Sequence, residues 1–245
     1  MNNFRKLKNE AIELVDKMYH EETQKMSSIC VTGNEGKFRK FSELLIEDMV
    51  QCILSAVSYY TGVDIVSKKG NENTFPVSYY RNIAYYKLDR HNYVDGNLTM
   101  LIENKSNLDS AYFKRALADI NGIIRHFQDN GIQLNGVKAA IVCGVKSLSD
   151  DTYTVEKQVH YGRKNNKLIP VETFYLFKGK RNQKVPIYEG ESIINRKGVE
   201  DFIDYVISTI KPKYTEEEMN EMEPFSYNGF VHSDSYSYFS GELFD

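Results

Sequence analysis

No uncharged apolar run in this chain is long enough to span a bilayer, and its mean hydropathy is −0.50. The opening segment MNNFRKLKNE moves straight into charged residues without a signal-peptide apolar stretch, so a cytoplasmic protein is expected. Cysteine is scarce. Cys30, Cys52 and Cys143 are far apart, odd in number and free of C-x-x-C spacing, which excludes a disulfide framework and a zinc knuckle. His20, His91, His126, His160 and His232 show neither H-E-x-x-H spacing nor partnering cysteines, which argues against zinc chemistry. No G-x-S-x-G elbow and no internal repeat occur. Val31 to Lys37 (VTGNEGK) looks like a phosphate loop, but only two residues separate its glycines and Phe38 stands where Ser or Thr is required.

What is present suits one globular domain or two small ones: 245 residues, 41% hydrophobic and 27% charged. Charge is segregated. From Tyr214 to Asp245 there are eight acidic residues and no Lys or Arg, so with a net charge of −3 overall, residues 1–213 carry +5. Within that part, Lys157, Arg163, Lys164, Lys167, Lys178, Lys180, Arg181 and Lys184 are set against Glu172 alone, a density of cations that suits a polyanion. Solvated loops would look the same. The expected organisation is a single domain over 1–213 followed by a tail, 214–245, that is acidic and then rich in Tyr and Phe. A disordered arm, a late hairpin or a segment packed on a partner chain would each fit that tail.

Phe4, Leu7, Ala11, Leu14, Val15 and Met18 recur at helical spacing and predict a helix over 3–20. Phe38, Phe41, Leu45, Met49, Cys52 and Ile53 predict a longer one ending near Tyr60, with Gly62 as its stop. A short strand at Val63 to Val66 is followed by a Gly/Asn-rich loop and then a β-prone run from Tyr79 to Val94. Asp95-Gly96-Asn97 has hairpin-turn chemistry, and Leu98 to Lys105 continues as the next strand. A helix from the N-cap candidates Ser106 to Asp109 to about Gln128, and an apolar strand from Val137 to Val145, complete a mixed α/β core. Val155 to Tyr161 and Ile169 to Phe177 are two further strand candidates. Val199, Phe202, Ile203, Val206, Ile207 and Ile210 mark an amphipathic helix stopped by Pro212.

The strand Leu101-Ile102-Glu103-Asn104-Lys105 ends in two charges at period-two spacing, so both leave the same face of the sheet. An E-x-K triplet alone is weak, since a chain of this length holds roughly one by chance. Glu35-Gly36-Lys37 is such a case, in a polar loop with no strand to aim it. In phosphodiester hydrolysis a hard divalent cation needs two nearby carboxylates, and a lysine beside them orients the attacking water. If the turn centres on Gly96, residues equidistant from it pair, and Glu103 falls opposite Asp89 with Cβ atoms about 4.5 to 5.5 Å apart. Asp95 is the competing choice, and it would need a turn near Thr99.

The acid, the hairpin, the apolar strand ending in Glu103-Asn104-Lys105, the helix after it and a further apolar strand resemble the PD-(D/E)xK nuclease superfamily, and within it type II restriction endonucleases. The likeness covers about residues 38–145, with 150–213 as the basic part. It implies an α/β (α+β) restriction-endonuclease-like core, a mixed sheet flanked by helices, and a Mg²⁺-dependent endonuclease acting on double-stranded DNA as a homodimer. It implies Glu103 as metal ligand and Lys105 as catalytic lysine. For the first acid, the family's Asp-Gly habit favours Asp95 and hairpin geometry favours Asp89, so both stand. Family members often add an acid from the early helix, where Glu43, Glu47 and Asp48 are available. Glu43 and Glu47 lie opposite the Phe41/Leu45 stripe, however, and are expected on a solvated face. Lys114, Arg115, Arg163, Lys164, Lys180 and Arg181 are the DNA-contact candidates. The rival expectations are a junction resolvase or repair nuclease on the same core, and a non-catalytic nucleic-acid-binding protein in which Glu103 and Lys105 merely pair.

Overall fold

The computed structural model describes residues 4–30, 35–108, 110–146, 171–179 and 192–227. Two long helices come first, α1 (Arg5–Cys30) and α2 (Glu35–Thr61). Strands β1 (Val66–Lys69), β2 (Phe75–Tyr79), β3 (Asn82–Tyr86), β4 (Arg90–Val94) and β5 (Asn97–Leu108) follow. Helix α3 (Ser110–Asp129) then leads to β6 (Lys138–Lys146), β7 (Val171–Tyr175), α4 (Arg196–Ile207) and the short α5 (Glu216–Glu221).

Five strands form one sheet in the order β1-β4-β5-β6-β7, antiparallel across β1, β4 and β5 and parallel across β5, β6 and β7. Helix α3 supplies the crossover that a parallel β5–β6 pair requires. Alternation along β5 separates two cores. Met100 and Ile102, with Ala140, Val142 and Phe174, join the apolar stripes of α1, α2 and α4, including Leu7, Val15, Met49, Ile53 and Phe202. Leu101, with Ala139, Ile141 and Cys143, joins Phe113, Ile120 and Ile123 of α3 and Phe75 of β2. The fold is a mixed α/β sheet with helices on both faces.

Three expected boundaries move. Helix α1 runs well past residue 20, and the first strand lies at Val66–Lys69, after the expected Val63 to Val66. The β-prone run 79–94 is divided among three strands, because Tyr80 turns the chain at φ 46° and the Lys87 to Asp89 link carries it from the β2–β3 hairpin to the large sheet. Residues 215–227 are neither an arm nor a hairpin. They start with a capping box between Thr215 and Glu218, bury Met219 and tie down through the Phe225 N–H, which donates to Glu10 Oε2 of α1 at 2.9 Å. The expected strand at 155–161, the cations Arg163, Lys164, Lys180 and Arg181, and residues 228–245 lie outside the described residues. Among the described residues no helix is long and apolar enough to cross a membrane.

His91 in β4 is fully buried beside Phe75, and its Nε2 accepts the Leu88 N–H at 3.2 Å. Burial lowers its pKa to about 4. In the unfolded chain the imidazole takes up a proton near pH 6.5, whereas the folded one does not. Between those values the unfolded state binds more protons, so His91 costs stability as pH falls, on the order of 3 kcal/mol in all. Its ring resonances should stay those of a neutral imidazole at pH 5.5 in an NMR titration; a midpoint near 6.5 would contradict this.

Candidate active site

Asp95 and Gly96 join β4 to β5 with φ of 50° and 77°, the two positive values that a two-residue hairpin turn demands. Asp95 is therefore spent on the turn. It is exposed and does not line the cavity described below, which removes it from the candidate ligands. Val94 pairs with Asn97 and Tyr93 with Leu98, but Asn92 pairs with Met100. The extra residue, Thr99, is a β-bulge. From there Arg90 faces Ile102, and one step further Asp89 meets Glu103. The Asp89 N–H donates to Glu103 Oε2 at 3.3 Å, and Asp89 Oδ2 accepts the Asn104 N–H at 2.6 Å. Lys105, two residues along the same face, places Nζ 2.5 Å from Glu103 Oε1.

These three side chains share a cavity of about 660 Å³. Helix α2 contributes Glu43 and Glu47, the end of β1 contributes Lys69, and Tyr85 and Lys87 come from β3 and the link after it. Tyr112, Arg115 and Asp119 close it from α3. Glu43 and Glu47, expected on a solvated face, are half-buried and one turn apart on α2, where they line this cavity. Asp48, the third acid of that helix, is fully buried. Of the two α3 cations, Arg115 lines the cavity and Lys114 is exposed outside it.

The electrostatics follow from burial first and from the crowding of like charges second. Burial, and then the Glu103 carboxylate, push the Asp89 carboxyl up to about 7. Burial likewise raises Glu103, against the pull of Lys105. Burial works to lower the Lys105 ammonium, but Glu103 and Asp89 together outweigh it and hold its pKa above the ordinary value. Lys105 stays charged.

Two residues that spacing alone does not single out hold this geometry. The buried Arg90 guanidinium donates to Gln51 Oε1 at 2.6 Å and to the Glu47 carbonyl at 3.3 Å, clamping the start of β4 onto α2. Gly70 donates its N–H to the Asp89 carbonyl at 3.1 Å, and a Cβ there would lie 2.1 Å from the Leu88 carbonyl oxygen. The only hint of Gly70 in the sequence is a Gly/Asn-rich loop, which does not say what passes beside it.

The donor set suits a hard cation. Asp89 and Glu103 present carboxylate oxygens, and the raised Asp89 pKa reflects burial first and the Glu103 carboxylate second, both of which a bound cation would offset. No group of three or more His, Cys, Asp or Glu side chains able to hold a metal occurs among the described residues. Mg²⁺ keeps several of its waters and takes one or two carboxylates, so a pair is sufficient.

Replacing Asp89 by Asn keeps an oxygen for the Asn104 N–H and removes the disfavoured charge. The folded-state pKa of Asp89 lies above its unfolded value, so its contribution is lost as pH rises from about 4 through about 7. Asp89→Asn should therefore be more stable than the parent at pH 8 in EDTA, on the order of 2 kcal/mol, and this gap should close toward pH 4. Urea titrations at both pH values check this. Gly70→Ala should lose about 1–3 kcal/mol, because the Leu88 and Asp89 backbone has to shift to admit the methyl group; an unchanged urea midpoint would show that the contact is slack.

The chain matches no protein-family model, and no curated protein matches it in sequence.

Proposed function

We propose that the protein is a Mg²⁺-dependent endonuclease that hydrolyses phosphodiester bonds of double-stranded DNA, built on a restriction-endonuclease-like core. The observation that carries this reading is the meeting of Asp89, at the entry to β4, with Glu103 and Lys105 of β5 in one cation-flanked cavity.

In this reading Asp89 and Glu103 hold the metal, which when bound polarises a phosphate oxygen and lowers the pKa of a water. Lys105 orients the attacking water and stabilises negative charge as it develops on the phosphate. Arg115, Lys69 and Lys87 line the same cavity and attract the DNA backbone. Arg90 acts through position, since its grip on α2 sets where Asp89 stands. Cleavage at a defined duplex sequence, as by a type II restriction enzyme, and a two-fold homodimer matched to a palindromic site are the finer parts of the proposal.

Supercoiled plasmid incubated with and without Mg²⁺ tests it. The parent should nick or linearise the plasmid only with the cation. Asp89→Asn, Glu103→Gln and Lys105→Ala should each lose at least about 100-fold in rate, while Asp95→Asn should cut like the parent. Parental rates in the Glu103 and Lys105 variants, or no cleavage by any form, would refute the nuclease. Discrete fragments from a long DNA support sequence specificity, and a smear removes that part alone.

A further inference from the structure

The β2–β3 hairpin stands apart from the large sheet and has two unlike faces. Its inner face is anchored on α3. Phe75 and Val77 are buried, the Pro76 carbonyl is 2.7 Å from His126 Nδ1, and Arg125 lies over the Tyr79 ring. Its outer face is bare. Tyr85 is 65% exposed, Ile83 56% and Tyr80 98%, so half of the large exposed hydrophobic side chains among the described residues belong to this hairpin once Tyr79 is included.

The turn makes this arrangement costly. Tyr80 adopts φ 46°, a conformation that Gly or Asn takes easily and a bulky side chain does not, at a cost of about 1 kcal/mol. Arg81 lies beside it, its guanidinium 5.2 Å from the ring, a cation–π contact that offsets part of that cost. Tyr85 also lines the cavity that holds Asp89, Glu103 and Lys105. The exposed rings therefore begin at the scissile site and lead outward to the tip, about 16 Å away at strand rise, or roughly five stacked bases. Cations accompany them: Lys68, Lys69, Arg81 and Lys87 are set against Glu72 alone between residues 66 and 87.

We infer that the outer face of this hairpin is a stacking platform for unpaired bases of the DNA strand leaving the cavity, with Tyr85 and Tyr80 under the bases and Arg81 and Lys87 near the phosphates. This rests on the nuclease reading of the cavity. Aromatic rings beside a positive track bind single strands irrespective of sequence, because every base has a π face. The preferred substrate then carries a single-stranded extension next to the duplex.

The test is binding, measured by fluorescence anisotropy with the full chain carrying Glu103→Gln. The probes are a blunt duplex and the same duplex with five-nucleotide 5′ or 3′ extensions containing 2-aminopurine. One polarity of extension should bind about tenfold tighter than the blunt duplex, with its 2-aminopurine quenched. Tyr80→Ala and Tyr85→Ala should each lose about tenfold on the extended probe, Tyr80→Ala should lose little on the blunt one, and Tyr80→Phe should restore both affinity and quenching. Tyr80 is almost wholly exposed, so its variants keep the fold, as circular dichroism will confirm. Equal affinity for blunt and extended probes would overturn the inference. So would a change from dimer to monomer in sedimentation of Tyr80→Ala with binding intact, which would make this face a contact between copies of the chain. Binding is read without cleavage, so a protein that stacks but never cuts loses the nuclease and keeps the platform, whereas one that cuts with both alanine variants binding normally loses only the platform.

Discussion

The antiparallel register of β4 on β5 decides where the acids of this protein stand. The turn at Asp95 and Gly96 pairs Val94 with Asn97, and if that pairing ran on unbroken, Asp89 would sit opposite Ile102. Ile102 faces the α1/α2/α4 core, so the aspartate would be aligned with the wrong side of β5. The bulge at Thr99 adds one residue to β5 and restores the relation, because side chains alternate with a period of two and a single insertion exchanges the faces. Asp89, Glu103 and Lys105 then converge on one cavity.

Holding that convergence costs stability, and the surrounding structure offsets the cost. Burial disfavours the ionised form of both carboxylates, the Glu103 charge raises Asp89 further, and Lys105 does not offset this. The site survives because its backbone is constrained from several directions: Arg90 onto α2, Gly70 against the Leu88 and Asp89 carbonyls, and the Asn104 N–H onto the Asp89 carboxylate. Each restraint comes from a different element, so the cavity depends on the assembled fold. Buried charge crowded in this way works against stability, and the surrounding restraints keep it in place. The turn at Tyr80 carries a local cost as well, where a ring sits in a conformation that suits glycine.

Much of this architecture was legible in advance wherever the signal was periodic. The stripe Val199, Phe202, Ile203, Val206 and Ile207 did become the buried face of α4, and the apolar run from Val137 to Val145 became the central parallel strand β6. The E-x-K spacing put Glu103 and Lys105 on one face of β5, and hairpin arithmetic pointed to Asp89, though it assumed a symmetric turn in place of a tight turn plus a bulge. Failures came where the answer lay in another part of the chain. A helical wheel shows that Glu43 and Glu47 lie away from the apolar stripe of α2, but not that α3 and the β3–β4 link enclose the space in front of them. The break at Tyr80 and Arg81 was invisible because neither residue has the chemistry of a turn.

Composition and periodicity by themselves determined that this chain folds as a mixed α/β protein, which strands are buried, and which pair of charges leaves one strand together. These are local properties, set by side-chain polarity and the repeat lengths of helix and strand. Only tertiary structure decided that Asp89 and not Asp95 joins them, that α2 supplies two more acids, and that a glycine and a buried arginine hold the aspartate in place. Contacts between residues far apart in the chain depend on register, on bulges and on which elements come to face each other. No short window of sequence contains that information.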